Sequence, residues 1–310
     1  FQPPELLITS ETPQDPTCFG GSDGTITVTV TGGTGTIQFS PNAGANYYLG
    51  NILSELSAGV LYEIQVRDEH NCITDGGSHV LSQPTELVID NVDADDVDDC
   101  FGGINGSIEI FASGGTAPLM YSINGGTTYQ MSNLFNGLAA GNYQVFVKDA
   151  NDCLTVGELY TISQPDPIFV SFQTHVNVIG CNGDSNGEIH FDALGGTEPY
   201  TFYISGPVNQ NNATGDFTGL PAGTYTLTVE DDNLCADNGV PVTITEPDVL
   251  SVSLGPLVHV DCFGASTGQI TLISEGGQLP HYFSIDGGTN YGTGSFFNGL
   301  VAGDYQTAIR

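Results

Sequence analysis

The chain is 310 residues long, and 36 Asp+Glu against 3 Lys+Arg leave a formal net charge of -33. A chain this acidic offers no basic footprint for phosphates, so nucleic acid and anionic membrane are poor partners. Apolar residues make up 39%, too many for a disordered acidic tail. No run of 18 apolar residues exists, which argues against membrane insertion.

The chain opens with Phe1-Gln2-Pro3-Pro4, which reads as mature or internal sequence and not as a signal peptide. The same dipeptide type recurs at Gln83-Pro84, Gln164-Pro165 and Glu246-Pro247, so the prolines follow one another at spacings of 81, 81 and 82. Cys18, Cys100, Cys181 and Cys262 keep this beat, and Cys72, Cys153 and Cys235 follow the first three at offsets of 54, 53 and 54. Gly-Gly pairs stand in phase at Gly32, Gly114, Gly195 and Gly276, as does Leu-x-Ala-Gly at Leu56, Leu138, Leu220 and Leu300. A fixed period of this kind is the signature of a repeat architecture. The boundaries expected are 1–83, 84–164, 165–246 and 247–310. The fourth repeat is expected to lack its final strand and its second cysteine, which the period places near 316. Cys262 is then unpaired by truncation of a longer array.

Along the chain, Glu5-Leu6-Leu7-Ile8-Thr9 is a candidate first strand. Thr25, Thr27, Thr29 and Thr31 alternate on one strand face, read as solvated. In the second repeat, Leu87-Val88-Ile89 begins the unit. Ser107-Ile108-Glu109-Ile110-Phe111 alternates polar with apolar, the period of a half-buried strand. Met120 to Ile123, a short strand within 133–138, Tyr143 to Val147 and Leu159 to Ile162 follow, with turn signals between them. No helical periodicity is sustained anywhere along the chain. Each repeat therefore predicts an all-β, immunoglobulin-like β-sandwich, and the chain a tandem array of four, the last incomplete. Tyr62, Tyr143, Tyr225 and Tyr305, just after Leu-x-Ala-Gly, fit the tyrosine corner of such sandwiches.

Cysteine pairs at fixed phase in small domains read as disulfides in an oxidising compartment. The pairing expected is within each repeat: Cys18 with Cys72, Cys100 with Cys153, and Cys181 with Cys235. It rests on phase alone, and crossed or inter-repeat pairs are the less favoured alternative. Zinc is disfavoured, since no CxxC or Cys/His cluster accompanies any pair.

Cys-x-Gly-x-x-(Asp/Asn)-Gly-x-Ile at Cys18 to Ile26, Cys100 to Ile108 and Cys181 to Ile189 resembles the SprB-type repeat. Gly195 to Tyr200 (Gly-Gly-Thr-x-Pro-Tyr) and Gly141 to Cys153 (Gly-x-Tyr-x-Val-x-Val-x-Asp-x-x-x-Cys) are similar to it too. Repeat 4 departs with Thr267 where Asp or Asn is usual. The resemblance covers essentially the whole chain. It implies tandem arrays in surface adhesins of gliding Bacteroidota and related secreted proteins, with roles in adhesion, motility or filament building. It supplies no catalytic residue.

No His-Glu-x-x-His, Gly-x-Ser-x-Gly or P-loop is present, and the six histidines share no phase. The expectation is a non-enzyme that requires no cofactor. Calcium is the one ligand with a candidate site: Asp90, Asp93, Asp95, Asp96, Asp98 and Asp99 crowd ten positions at a junction between repeats. Asp68, Asp149 and Asp231, four residues before each second cysteine, form a weaker set. An Asx-type turn is the competing reading for them.

The function expected is a structural or adhesive segment of a bacterial extracellular filament or surface adhesin. Its partners are other copies or neighbouring repeats, with a surface or glycan receptor not specified. Carbohydrate-binding or spacer modules of a secreted enzyme are the alternative, weakened by the absence of Trp. A pilus-like subunit completed by a donated strand is another, though truncation explains the short fourth repeat more simply.

Overall fold

The computed structural model describes residues 2–310, apart from the side chains of residues 172 and 173; Phe1 lies outside the described residues. The chain forms two compact units, Phe1–Asp98 with Gly102–Gln164, and Asp99–Phe101 with Pro165–Arg310.

In the first unit, repeat 1 contains β1 (Leu7–Gln14), β2 (Gly24–Thr31), β3 (Gln38–Ser40), β4 (Tyr48–Leu49), β5 (Ile52–Leu56), β6 (Leu61–Arg67) and β7 (Ile73–Val80). They make two antiparallel sheets, ordered β1-β2-β5 and β4-β3-β6-β7. This strand distribution is that of an immunoglobulin-like Greek-key sandwich. Alternation decides the faces. Ile26 and Val28 of β2 are fully buried, while Thr25, Thr27, Thr29 and Thr31 point away from the core. They pack with Leu6, Leu53 and Leu56 against Phe39, Ile64, Val66 and Leu81. Each fully buried aliphatic side chain contributes roughly 1.5–3 kcal/mol.

Repeat 2 has the sheets Val88–Asp95, Gly106–Ser113, Leu134–Leu138 and Met120–Ser122, Gly141–Lys148, Leu154–Ile162. Its core is separate, built on Leu87, Val97, Ile108, Ile110, Val145, Val147 and Ile162. In the second unit, repeat 3 encloses its own core, with Phe191 stacked on Phe217. Repeat 4 has the sheet Ser251–Val258, Gly268–Glu275, Phe296–Leu300 and a short pair, Phe283–Ser284 with Ala308–Ile309. Its buried core is reduced to Ile270, Leu272 and Phe283. The reason is local. In repeats 1 to 3 the final strand brings Leu81, Ile162 or Ile244 against Gly24, Gly106 or Gly187. At Gly268 the three nearest atoms all belong to Leu300, and an open groove of about 360 Å³ lies there, lined by Leu254, Leu257, Ile270 and Tyr305.

The tyrosine corner is present in all four repeats. Tyr62, Tyr143, Tyr225 and Tyr305 donate their hydroxyls to the carbonyls of Ser57, Ala139, Pro221 and Val301 at 3.0, 2.9, 2.9 and 3.0 Å. No helix among the described residues is long and apolar enough to cross a membrane.

The sandwich sorts its loops to two ends. The loop carrying Cys18 joins β1 to β2, beside Leu56 and Leu81 at the start of β2. The turn carrying Cys72 joins β6 to β7, beside the Gly32-Gly33 turn at the far end of β2. Eight residues of strand separate these ends by roughly 25 Å.

Candidate functional site: a stapled joint between successive repeats

A disulfide needs its Cα atoms about 4.4–6.8 Å apart, so Cys18 cannot reach Cys72 across its own sandwich. The expected within-repeat pairs Cys18–Cys72, Cys100–Cys153 and Cys181–Cys235 are therefore corrected. The bonds are Cys18–Cys153 and Cys100–Cys235, each with Cα atoms 5.6 Å apart and a sequence separation of 135. The first cysteine of one repeat is bonded to the second cysteine of the next. Cys72, Cys181 and Cys262 are free and exposed.

The turn that presents each second cysteine is organised by an aspartate. Asp149 is 1% exposed. Its Oδ1 accepts the N–H groups of Asn151 (2.8 Å) and Cys153 (2.9 Å), and its Oδ2 that of Thr116 (2.8 Å). Asp231 repeats this with Asn233, Cys235 and Thr197, and Asp68 with His70, Cys72 and Thr34. These are the Asx-type turns, with the carboxylate filled by backbone donors. The N–H of Cys72, then the Thr34 hydroxyl and the N–H groups of Thr34 and His70, hold Asp68 down at about 2 against its burial. The turns of Cys153 and Cys235 also cross their joints: Asn151 Nδ2 donates to the carbonyl of Thr17 (3.0 Å), and Asn233 Nδ2 to that of Asp99 (3.1 Å).

The loop that presents each first cysteine is fixed by the residue before the junction proline. Gln83 Oε1 accepts the N–H of Gly20 (2.7 Å), Gln164 Oε1 that of Gly102 (2.9 Å), and Glu246 Oε2 that of Gly183 (2.6 Å). In the sequence this Gln or Glu stood out only as part of the recurring dipeptide that marks the period; its recurrence before each junction proline was the available signal. Asp23 Oδ1 accepts the N–H of Thr17 (3.1 Å), Asn186 Oδ1 that of Ile179 (2.9 Å), and Thr267 Oγ1 that of Asp261 (3.0 Å). Thr267 thus keeps the bond that Asp or Asn makes elsewhere. Past the junction, Gly33 N–H donates to the Pro4 carbonyl (3.1 Å) and Gly115 N–H to that of Thr85 (3.0 Å), tying the start of each repeat to its Gly-Gly turn.

The acid-rich segment proposed for calcium is largely a β-strand. Asp90, Asp93 and Asp95 lie on the strand Val88–Asp95, paired with Gly106–Ser113. Asp90 accepts from Ser113 Oγ (3.0 Å), Asp93 from Asn91 Nδ2 (2.6 Å) and Asp95 from Ser107 Oγ (2.9 Å). Asp96 caps the Ser163 N–H (2.7 Å) and Asp98 accepts from Asn105 Nδ2 (2.5 Å). The carbonyl of Asp99 takes the Asn233 bond described above. These carboxylates are dispersed along a strand and its exit, and among the described residues no group of three or more His, Cys, Asp or Glu is arranged to hold a metal ion.

The fold and the joints define a repeat protein of structural or adhesive type, built from tandem β-sandwiches coupled by disulfides. Four segments, residues 10–46, 96–128, 175–209 and 256–290, match the family model described as SprB repeat. One such matching segment falls in each of the four repeats. No curated protein matches it. Among solved structures it is similar to three N-terminal domains of the bacteriophage RB49 highly immunogenic outer capsid protein, at 11% identity and a TM-score of 0.33, covering 78% of this chain and 99% of that one. Titin domains I67–I69 align at 12% identity and a TM-score of 0.36, over 79% and 99% of the two chains. Extracellular domains 3–5 of Drosophila OTK align at 13% identity and a TM-score of 0.27, over 77% and 96%. The immunoglobulin-like assignment rests on the strand order itself.

Proposed function

We propose that this chain is a tension-bearing segment of a bacterial surface or secreted adhesin or filament, acting outside the cell and without catalysis. The observation that carries the reading is the pair of disulfides joining successive repeats. A bond across a joint couples one sandwich to the next. The two bonds overlap, since Cys100 lies between Cys18 and Cys153 in the chain. The shortest covalent path from Cys18 to Cys235 therefore crosses the first bond, follows the backbone only between Cys153 and Cys100, and leaves through the second. Such bonds persist in an oxidising compartment, and the net charge of -33 keeps neighbouring arrays soluble and apart.

The SprB repeats support a surface or secreted location, and the resemblance to gliding adhesins supports adhesion or motility as the process served. The test is labelling of intact, non-permeabilised source cells with antibody fragments raised to the 310-residue chain, followed by an attachment assay. Surface labelling together with reduced attachment is the expected result. Labelling only after permeabilisation would overturn the reading.

A further inference from the structure

Three cations stand against 36 carboxylates in the sequence, and all three recur at one place in the repeat. Arg67 and Lys148 close the strands Leu61–Arg67 and Gly141–Lys148, and Arg310 is in phase with them. Each lies over a tyrosine from the turn after Gln38–Ser40 or its counterpart: Arg67 over Tyr47 at 3.9 Å, Lys148 over Tyr129 at 4.8 Å and Arg310 over Tyr291 at 4.3 Å. Such stacking is favourable and fixes where the cation lies. Repeat 3 closes its strand Gly223–Glu230 with Glu230 in place of the cation.

The cations differ in what else they meet. Lys148 Nζ is paired with Asp152 at 2.8 Å. Arg67 is half-buried, and its Nε donates to Gln38 Oε1 at 2.8 Å. Among the described residues no carboxylate lies within ion-pair distance of Arg67, and its two Nη groups donate to no protein acceptor. A guanidinium is a rigid fork that meets a carboxylate with two parallel hydrogen bonds. This fork is already held by a ring and an amide, so little side-chain entropy is left to lose on binding. A stack that only supports the fold accounts for Lys148, which has Asp152. It does not account for a clamped fork left without an anion in so acidic a chain.

The surroundings define the occupant. Gln38 is the cross-strand partner of Leu49 on one side and of Arg67 on the other, and Arg67 is that of Ile73. These four residues form a rung across the sheet β4-β3-β6-β7. The rung lies on the outer face, since the adjacent Phe39 and Val66 are buried, and Leu49 is 72% and Ile73 56% exposed. We propose that it binds the carboxylate of an acidic monosaccharide that ends an otherwise uncharged glycan. The Arg67 Nη groups take the carboxylate, Gln38 Nε2 donates to a sugar hydroxyl, and Leu49 and Ile73 cover C–H faces of the ring. The net charge of -33 selects an occupant with one charge. Every further carboxylate on a polyanion or acidic peptide meets repulsion that salt screens only beyond about 8 Å.

The inference deepens the adhesin reading by naming the receptor chemistry, and rests on it. The two fail separately, because cell labelling needs no glycan and the binding assay needs no cells. The test titrates the oxidised 310-residue chain with lactose, with lactose capped by N-acetylneuraminic acid or by glucuronic acid, and with the methyl esters of the two capped sugars. At least one capped sugar should bind about tenfold or more tighter than lactose, and its methyl ester should bind like lactose. Arg67→Lys keeps the charge and removes the fork; it should lose most of that preference at unchanged thermal unfolding, while Lys148→Ala should retain it. Capped sugars that bind no better than lactose, a preference that survives Arg67→Lys, or tighter binding of polyglutamate or polygalacturonate than of both capped sugars would overturn the proposal.

Discussion

Cys18 is bonded to Cys153, at a sequence separation of 135, while Cys72 of its own repeat is free. The relationship follows from where the Greek key puts its loops. The β1–β2 loop and the β6–β7 turn lie at opposite ends of the sandwich, so they meet their counterparts in neighbouring repeats and not each other. The chain-entropy model gives a cross-link of this span roughly 5 kcal/mol.

Asp149→Ala removes the acceptor for three backbone N–H groups in a buried turn. The expected cost is about 3 kcal/mol in urea unfolding of the first unit. Asp149→Asn should cost less, because its remaining carbonyl oxygen still serves the Asn151 and Cys153 donors. Equal stability of Asp149→Ala and the parent would contradict the role given to this carboxylate.

Stability should fall in acid over a defined window. Asp68 is held at about 2 chiefly by the Cys72 N–H, and Asp286 at about 2 chiefly by the Asn290 N–H with help from Ser284. In the unfolded chain an aspartate titrates near about 3.9. The folded values are depressed, so the contribution is complete above that value and is lost as pH drops through about 2. Urea unfolding should show little dependence on these two groups from pH 7 to 5 and a downward slope from about pH 4 toward 2. Asp68→Asn should flatten that slope in the first unit.

Much of this was readable in the residues. The alternation in Ser107 to Phe111 placed a strand where Gly106–Ser113 forms one, and the tyrosines after Leu-x-Ala-Gly marked corners that the hydrogen bonds confirm. The cysteine partners were not readable from phase, because an offset of 54 within a repeat and a separation of 135 across two repeats keep the same beat. Choosing between them needs the strand order, which decides the end of the sandwich each loop occupies. Asp90 to Asp99 misled for a related reason. Charge density suggested a calcium site at a junction, but an exposed strand and its exit can carry many carboxylates when each finds its own Ser, Asn or backbone donor.

Gly114→Ala should destabilise repeat 2 by roughly 2–4 kcal/mol. Gly114 has φ 78°, and an added Cβ would collide with the Glu86 carbonyl oxygen just past the junction. Gly102, also left-handed at φ 80° but with open space around it, should tolerate alanine better. Thermal unfolding of the two variants compares them directly, and equal losses would contradict the close approach.

Pulling the chain by its ends should reveal the overlap of the two bonds. The staples hide the stretches from Cys18 to Cys100 and from Cys153 to Cys235, so reduction should lengthen the fully stretched chain by roughly 570 Å. In Cys100→Ser only the Cys18–Cys153 bond remains, and what stays hidden should be the single loop it closes, with its separation of 135. Within-repeat pairs would instead leave two separate and shorter loops hidden in that variant, Cys18 to Cys72 and Cys181 to Cys235.

The most direct measurement is disulfide mapping of the oxidised protein by mass spectrometry of unreduced proteolytic fragments. Crossed fragments joining Cys18 to Cys153 and Cys100 to Cys235 are predicted, with Cys72 outside both. Fragments joining Cys18 to Cys72 and Cys100 to Cys153 would contradict the account.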